Sequence, residues 1–129
     1  MILIKNNETI TRSANEDDII SLFDRLQSSF VPVILEDKQT GSYVQTLCSK
    51  YYGIVEIRMY SSSDSFEHFR AKNKDMPDGK TVQINAGYTV TADRNNLINC
   101  ASIKRIFLEF LHTKHLYNNF DWISVTNEF

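Results

Sequence analysis

The chain has 129 residues, of which 42% are hydrophobic and 23% charged, and 14 basic residues against 16 acidic ones give a net charge of −2. A chain of this length and composition can bury a core as one domain, which excludes wholesale disorder and a fibrous fold. The near-neutral balance also excludes a broad electrostatic attraction to nucleic acid or to an anionic membrane.

The first residues, MILIKNNETI, lack the positively charged leader and the longer apolar run of a signal peptide. No run approaches the roughly 20 apolar residues of a membrane span. Cys48 and Cys100 could form at most one bridge, and without an export signal we expect reduced, buried thiols. The sequence therefore predicts a cytoplasmic protein.

The N-terminal region predicts a small hairpin followed by a helix. Residues 2–12 hold two β-prone pieces around Asn6-Asn7, a pair suited to a turn. A helix is predicted from about 16 to 28, with Asn15 as a candidate N-cap. Its apolar stripe consists of Ile19, Leu22, Phe23 and Leu26.

The segments 31–37, 42–50 and 51–60 predict three successive strands, and hence an antiparallel meander. Thr40-Gly41 and Tyr52-Gly53 are the expected breaks between them. Because proline cannot donate a ladder hydrogen bond, Pro32 restricts the first of these strands to an edge position or to a strand start.

The segment 61–79 is the most polar part of the chain. A short helix is expected near 64–72, with Phe66 and Phe69 facing the protein body, before a turn at 77–79. The next segment, KTVQINAGYTVTAD, alternates between apolar and polar residues. It predicts either one long strand or two strands with a bend or bulge at Gly87.

The last region predicts the main core helix, followed by a strand that carries Trp122, the only tryptophan. Asn99 and Asn96 are candidate caps of this helix. Its apolar stripe consists of Ile103, Ile106, Phe107, Phe110 and Leu111. The order of elements indicates a single α+β domain, 1–129, with a largely antiparallel β-sheet and two main helices packed on one face.

Histidines and cysteines are the candidate catalytic or metal-binding residues. His112 and His115 could ligate a metal with Cys100 or Asp121, but positions near a helix C-terminus favour interaction with the helix dipole instead. His68 could act as a general base beside Asp64 and Glu67, although no serine lies in a recognisable nucleophile motif.

Either cysteine could serve as a nucleophile, and the helix start could lower the pKa of Cys100. Cysteines more often pack as buried thiols in a core than act as nucleophiles. The four scattered glycines form no phosphate-binding loop. The sequence therefore predicts no catalytic residue, no metal site and no cofactor.

The stretch LINCASIKRIFLEFLHTKHLYNNFDWISV, with the strand before it, resembles the C-terminal pattern of bacterial immunity proteins of polymorphic-toxin and contact-dependent growth inhibition systems. It is most similar to the immunity family often paired with deaminase-type toxins. A helix ending in a motif like EFLHT, a short loop and a strand with a tryptophan like Trp122 carry the resemblance.

The resemblance implies a non-enzymatic cytosolic protein that binds the C-terminal domain of one cognate toxin, a nuclease or deaminase, and blocks its active site or substrate surface. Carboxylates could mimic phosphates at such an interface. The predicted partner-binding residues are Asp64, Glu67, Asp75 and Asp78. The alternatives are a small metal- or cysteine-dependent enzyme using His112, His115 and Cys100, and a non-catalytic scaffold or ligand-binding module.

Overall fold

The computed structural model of the chain describes residues 1–73, 80–117 and 119–129. Within these ranges two α-helices and ten strands form. The helices are α1 (Glu16–Asp24) and α2 (Cys100–Thr113). The strands are β1 (Ile2–Lys5), β2 (Glu8–Thr11), β3 (Val31–Glu36), β4 (Tyr43–Cys48), β5 (Tyr52–Tyr60), β6 (Phe66–Lys72), β7 (Thr81–Asn85), β8 (Thr89–Asp93), β9 (Ile98–Asn99) and β10 (Asp121–Ser124).

The main sheet has the strand order β10-β6-β5-β4-β3-β1-β2, with β9 paired to the start of β5, and each described pairing is antiparallel. Both helices contribute to one core with the sheet, and the rings of Phe23 on α1 and Phe107 on α2 meet edge to face at 4.9 Å. The predicted α+β class, with its antiparallel sheet and two helices, is confirmed.

The N-terminal hairpin and the first helix form for the reasons that the sequence indicates. Asn6 and Asn7 adopt φ values of 52° and 66°, the left-handed angles of a tight hairpin turn. Asn15 caps α1 reciprocally with Asp18, because each side chain accepts a hydrogen bond from the other's backbone N–H. The helix ends at Asp24, four residues earlier than predicted, although Leu26 is still buried.

The predicted meander is present, with two refinements. Strand β3 lies inside the sheet, and Pro32 is tolerated near its start because β1 pairs with β3 only from Val33 onward. Gly53 lies within β5 and not at the preceding break. A side chain at this position would collide with the carbonyl oxygen of Leu47 and with Cys48. The close approach of β5 to the end of β4 therefore requires glycine.

The prediction of a short helix near 64–72 is wrong, because Phe66–Lys72 form strand β6. Phe66 and Phe69 lie on opposite faces of the sheet and not on one helical stripe. The two-strand alternative is correct for the next segment: β7 and β8 form a hairpin, and Gly87 at its tip has a φ of +83°. The hairpin is a separate sheet and does not extend the main one. The turn predicted at 77–79 lies outside the described residues.

The C-terminal elements agree with the predictions. Asn99 caps α2 by accepting a hydrogen bond from the backbone N–H of Ser102 at 2.8 Å. Strand β10 pairs with β6, and the half-buried Trp122 packs against the core while its indole N–H donates to the carbonyl of Tyr117 at 2.9 Å. In the described part of the chain, no helix is long and apolar enough to cross a membrane.

Candidate protein-binding surface

The sheet has a second face, turned away from α1 and α2, which we call the open face. Because side chains alternate along a strand, Val55 and Ile57 point to the helices while Glu56 points to the other side. The open face includes Ile34, Gln45, Leu47, Ile54, Glu56, Arg58, Tyr60, Phe66, His68 and Arg70. On this face the charged residues lie on β5 and β6, and most of the apolar residues lie on β3, on β4 and at the start of β5.

A hydrogen-bonded chain of ionisable groups occupies the part of the open face that β5 and β6 form. Nε2 of the fully buried His68 lies 2.5 Å from Oε1 of Glu56, and Arg58 Nε donates to His68 Nδ1 at 3.1 Å. A guanidinium group can only donate, so Nδ1 accepts and Nε2 carries the proton that is donated to Glu56. The imidazole is thus neutral and bonded at both nitrogens.

Glu56 is the centre of this chain. Its second oxygen accepts a hydrogen bond from Arg70 Nε at 2.8 Å, and Arg70 Nη2 reaches Glu128 at 3.3 Å. Burial by itself would raise the pKa of Glu56, but the hydrogen bonds from His68 and Arg70 and the charge of Arg70 outweigh it and hold the pKa below its ordinary value. Glu56 is therefore an ionised carboxylate within the fold.

The residues after β10 cover this chain of groups. The backbone N–H of Val125 donates to the carbonyl of His68, and the hydroxyl of Thr126 accepts from the His68 N–H. The ring of Phe129 lies 4.3 Å from the imidazole and 4.6 Å from the Arg58 guanidinium. Because His68 is covered and bonded at both nitrogens, its role in this geometry is structural.

The hairpin β7-β8 arches over the rest of the open face. The side-chain amide of Asn96 donates to the carbonyl of Ala71 at 3.1 Å, and the N–H of Asn73 donates to the carbonyl of Asn95 at 2.6 Å. These bonds tie the base of the hairpin to β6. Ile84 on β7 is buried, yet it lies outside the main core cluster.

Three adjoining cavities between the hairpin and the sheet form what we call the hairpin groove. The first, of about 190 Å³, is mainly apolar, and the second, of about 310 Å³, has both polar and apolar walls. A third, of about 360 Å³, continues toward β10. The residues that define the groove are Pro32, Ile34, Leu47, Ile54, Glu56, Arg70, Tyr88, Asp93, Asn96, Ile123 and Glu128.

Large hydrophobic side chains are exposed at and beside the groove. Tyr88 at the hairpin tip is 60% exposed, Ile123 on β10 is 42% exposed, and Phe129 is 62% exposed. Tyrosine and other large apolar residues provide much of the contact energy of protein interfaces when they sit beside desolvated polar groups. The groove thus combines apolar anchors with carboxylates on one surface.

The predicted partner-binding residues lie elsewhere. Asp64 is exposed in the turn between β5 and β6, and Glu67 is exposed on β6 but points to the helix side of the sheet. Asp75 and Asp78 fall outside the described residues. The structure does not bring Asp64 and Glu67 to the hairpin groove, and their role in binding stays a prediction.

The candidate metal and cysteine residues are also dispersed. Cys100 begins α2 and His112 lies in its last turn, which places their backbones about 18 Å apart at 1.5 Å per residue. His112 lies 3.3 Å from Glu16 on α1, and the described residues contain no group of three or more metal-ligating side chains.

The cysteine environments correct one expectation. Burial raises the pKa of Cys100 although it stands at a helix start, so the expected lowering is wrong. Burial also raises the pKa of Cys48 to about 12. Both cysteines are free thiols.

Comparison with protein-family models gives no match, and comparison with curated protein sequences gives none either. The resemblance to immunity proteins therefore stays a prediction from the sequence. Sequence reasoning missed the hairpin groove. The signal that points toward it is the alternation of Glu56 and Arg58 with Val55 and Ile57, which is typical of a sheet with one polar face.

Proposed function

We propose that this chain is an immunity protein that binds and neutralises the C-terminal domain of a cognate bacterial toxin in the cytoplasm. The observation that carries the proposal is the open face, where the hairpin groove places carboxylates beside exposed aromatic side chains. The resemblance of residues 97–125 and the strand before them to immunity proteins supports it independently.

The chemistry of the open face favours recognition of a protein. His68 is buried and Glu56 nearly so, and both are bonded to arginine side chains, so we assign these groups the role of stabilising the surface and not of turning over a substrate. Stable protein interfaces bury on the order of 1,600 Å² in total and depend on a few aromatic or charged anchors. Tyr88 and Phe129 are of this type.

The mode of action is occlusion. Nucleases and deaminases that act on nucleic acid have basic substrate surfaces, and carboxylates such as those of Asp93 and Glu128 complement them. Docking there covers the toxin's substrate surface or active site without any chemical step by the immunity protein. Electrostatic complementarity also speeds the encounter, which is an advantage for an inhibitor that must act before damage accumulates.

Co-expression tests the proposal. Cells that express only the toxin domain encoded immediately upstream of this gene should die. Cells that also express this chain should survive. A toxin domain from an unrelated system is the matched control, and the chain should give no protection against it. If the cells die from the upstream toxin domain even when this chain is expressed and folded, the proposal is contradicted.

A further inference from the structure

We infer that the hairpin groove binds an arginine side chain of the toxin, with its guanidinium between Asp93 and Glu128 and its aliphatic stem against the apolar wall of the groove. This inference rests on the proposed function, since it assigns the surface that the toxin contacts. It places binding on the open face and not at Asp64 and Glu67.

The charge of the groove favours a cationic side chain. Among the residues that the structure describes, three carboxylates and one guanidinium line the second cavity of the groove, so these side chains carry a net charge of −2. Glu56 uses both oxygens on His68 and Arg70. The surplus negative charge therefore belongs to the two exposed carboxylates, Asp93 and Glu128.

Both of these carboxylates can accept further hydrogen bonds. Glu128 contacts Arg70 through Oε1 only, at 3.3 Å, and its second oxygen remains as an acceptor. The side chain of Asp93 precedes a short 3₁₀ turn without capping it, and it makes no hydrogen bond or ion pair with any residue that the structure describes. A guanidinium supplies several donors in a fixed plane, which suits two carboxylates better than a lysine ammonium does.

The shape of the groove also favours an arginine side chain. At about 310 Å³ the second cavity lies at the lower limit of cavities that hold small molecules, so it suits one long side chain. Ile54, Val90 and Ala92 line it and offer an apolar surface to the methylene groups of an arginine stem. Tyr88 stands at the entrance of the adjoining apolar cavity, where it can contact the residues next to the arginine.

A model compound tests the groove without the toxin. We expect N-acetyl-arginine methylamide, titrated at millimolar concentrations into ¹⁵N-labelled protein, to shift the backbone amide signals of residues 89–93 and 128. The citrulline analogue, which has the same shape without the charge, should not shift them. Equal shifts from both compounds, or none from the arginine compound, would overturn the inference whether or not the protein is an immunity protein.

Substitutions test the groove with the toxin domain encoded immediately upstream. We expect Asp93→Asn and Glu128→Gln to weaken toxin binding by roughly tenfold each, measured by surface plasmon resonance. Asp64→Asn and Glu67→Gln are the control variants: they remove the same charge at exposed positions outside the groove, where the sequence predicts binding instead. If the groove is the binding site, these two variants leave the affinity unchanged.

The outcomes separate the two proposals. If the wild-type chain binds the toxin but the groove variants bind equally well, this inference fails and the proposed function stands. If instead the two control variants weaken binding, the surface lies at the turn between β5 and β6, and the inference is again overturned. If the wild-type chain does not bind at all, the proposed function fails. Circular dichroism of each variant excludes loss of the fold as the cause.

Discussion

His68 Nε2 and Glu56 Oε1 face each other across strands β5 and β6 at 2.5 Å, although twelve residues separate them in the sequence. The imidazole is completely buried, and the side chain of Glu56 is only 13% exposed. Because charge-assisted hydrogen bonds in such surroundings are stronger than neutral ones, this pair stabilises the outer half of the sheet.

Glu56→Gln should lower the free energy of unfolding by about 1–3 kcal/mol, because it removes the charge that holds both His68 and Arg70. Urea unfolding at pH 7 measures this loss. Glu67→Gln on β6 is the control, and because that side chain is exposed its effect should stay within about 0.5 kcal/mol. Equal effects of both substitutions would contradict a stabilising role for the buried pair.

Stability should fall in acid because two carboxyl groups have lowered pKa values. At Asp37, burial would raise the pKa, but hydrogen bonds from the Gln39 backbone, Lys114 and Thr40 lower it overall, as those from His68 and Arg70 do at Glu56. A lowered pKa in the folded state means that the folded protein releases protons more readily than the unfolded chain.

The contribution of Asp37 and Glu56 is therefore complete above their unfolded pKa values of about 3.9 and 4.3, and it is lost as the pH falls through the lower folded values. Urea midpoints between pH 7 and pH 3 should show this decline. The double variant Asp37→Asn with Glu56→Gln should be less stable at pH 7 and should lose less on acidification. If the urea midpoint of the double variant falls as steeply between pH 7 and pH 3 as that of the wild type, the assignment to Asp37 and Glu56 is refuted.

Gly53→Ala should destabilise the protein by about 1–3 kcal/mol, because the added methyl group would meet the carbonyl of Leu47 and the Cβ of Cys48. Thermal unfolding followed by circular dichroism measures the effect. Gly87→Asn is the comparison: the hairpin tip is open, so only the φ of +83° opposes a side chain there, and because asparagine tolerates left-handed angles better than most residues we expect a smaller loss than at Gly53. A neutral Gly53→Ala variant would show that β4 and β5 can separate without cost.

Native Cys48 should not react with a thiol reagent at pH 8. With its pKa raised to about 12, roughly one molecule in ten thousand carries the thiolate at that pH, and the side chain is buried. The variant Cys100→Ser isolates this thiol, which should react only after unfolding in urea.

Cys48→Ser isolates the half-buried Cys100, whose raised pKa predicts slow labelling in the native protein. Rapid and stoichiometric labelling of native Cys100 would contradict this and would favour a cysteine-dependent activity.

The elements with strong local signals could be predicted from the sequence. Asn6-Asn7 determines a hairpin turn, Asn15 determines a helix start, and the apolar stripe around Phe107 determines the main helix, because the interactions responsible are local or periodic. The α+β class follows from the order of such elements.

The sequence did not predict strand β6 or the site beside it. Phe66 and Phe69 are spaced as on a helix, but His68 between them obtains its partners from Glu56 and Arg58 on another strand. Tertiary hydrogen bonds of this kind override local propensity and leave no periodic signal. The hairpin groove likewise depends on how Asn96 ties the hairpin to β6, which is a contact 25 residues apart in the chain.

Calorimetric titration with the purified toxin domain encoded immediately upstream tests the central claim most directly. We expect a 1:1 complex with a dissociation constant in the nanomolar to micromolar range, weakened by salt because carboxylates face a basic surface. Glu67→Gln should bind like the wild type and Asp93→Asn more weakly. The absence of any binding heat across several temperatures, with both proteins folded, would contradict the claim that this chain is an immunity protein for that toxin.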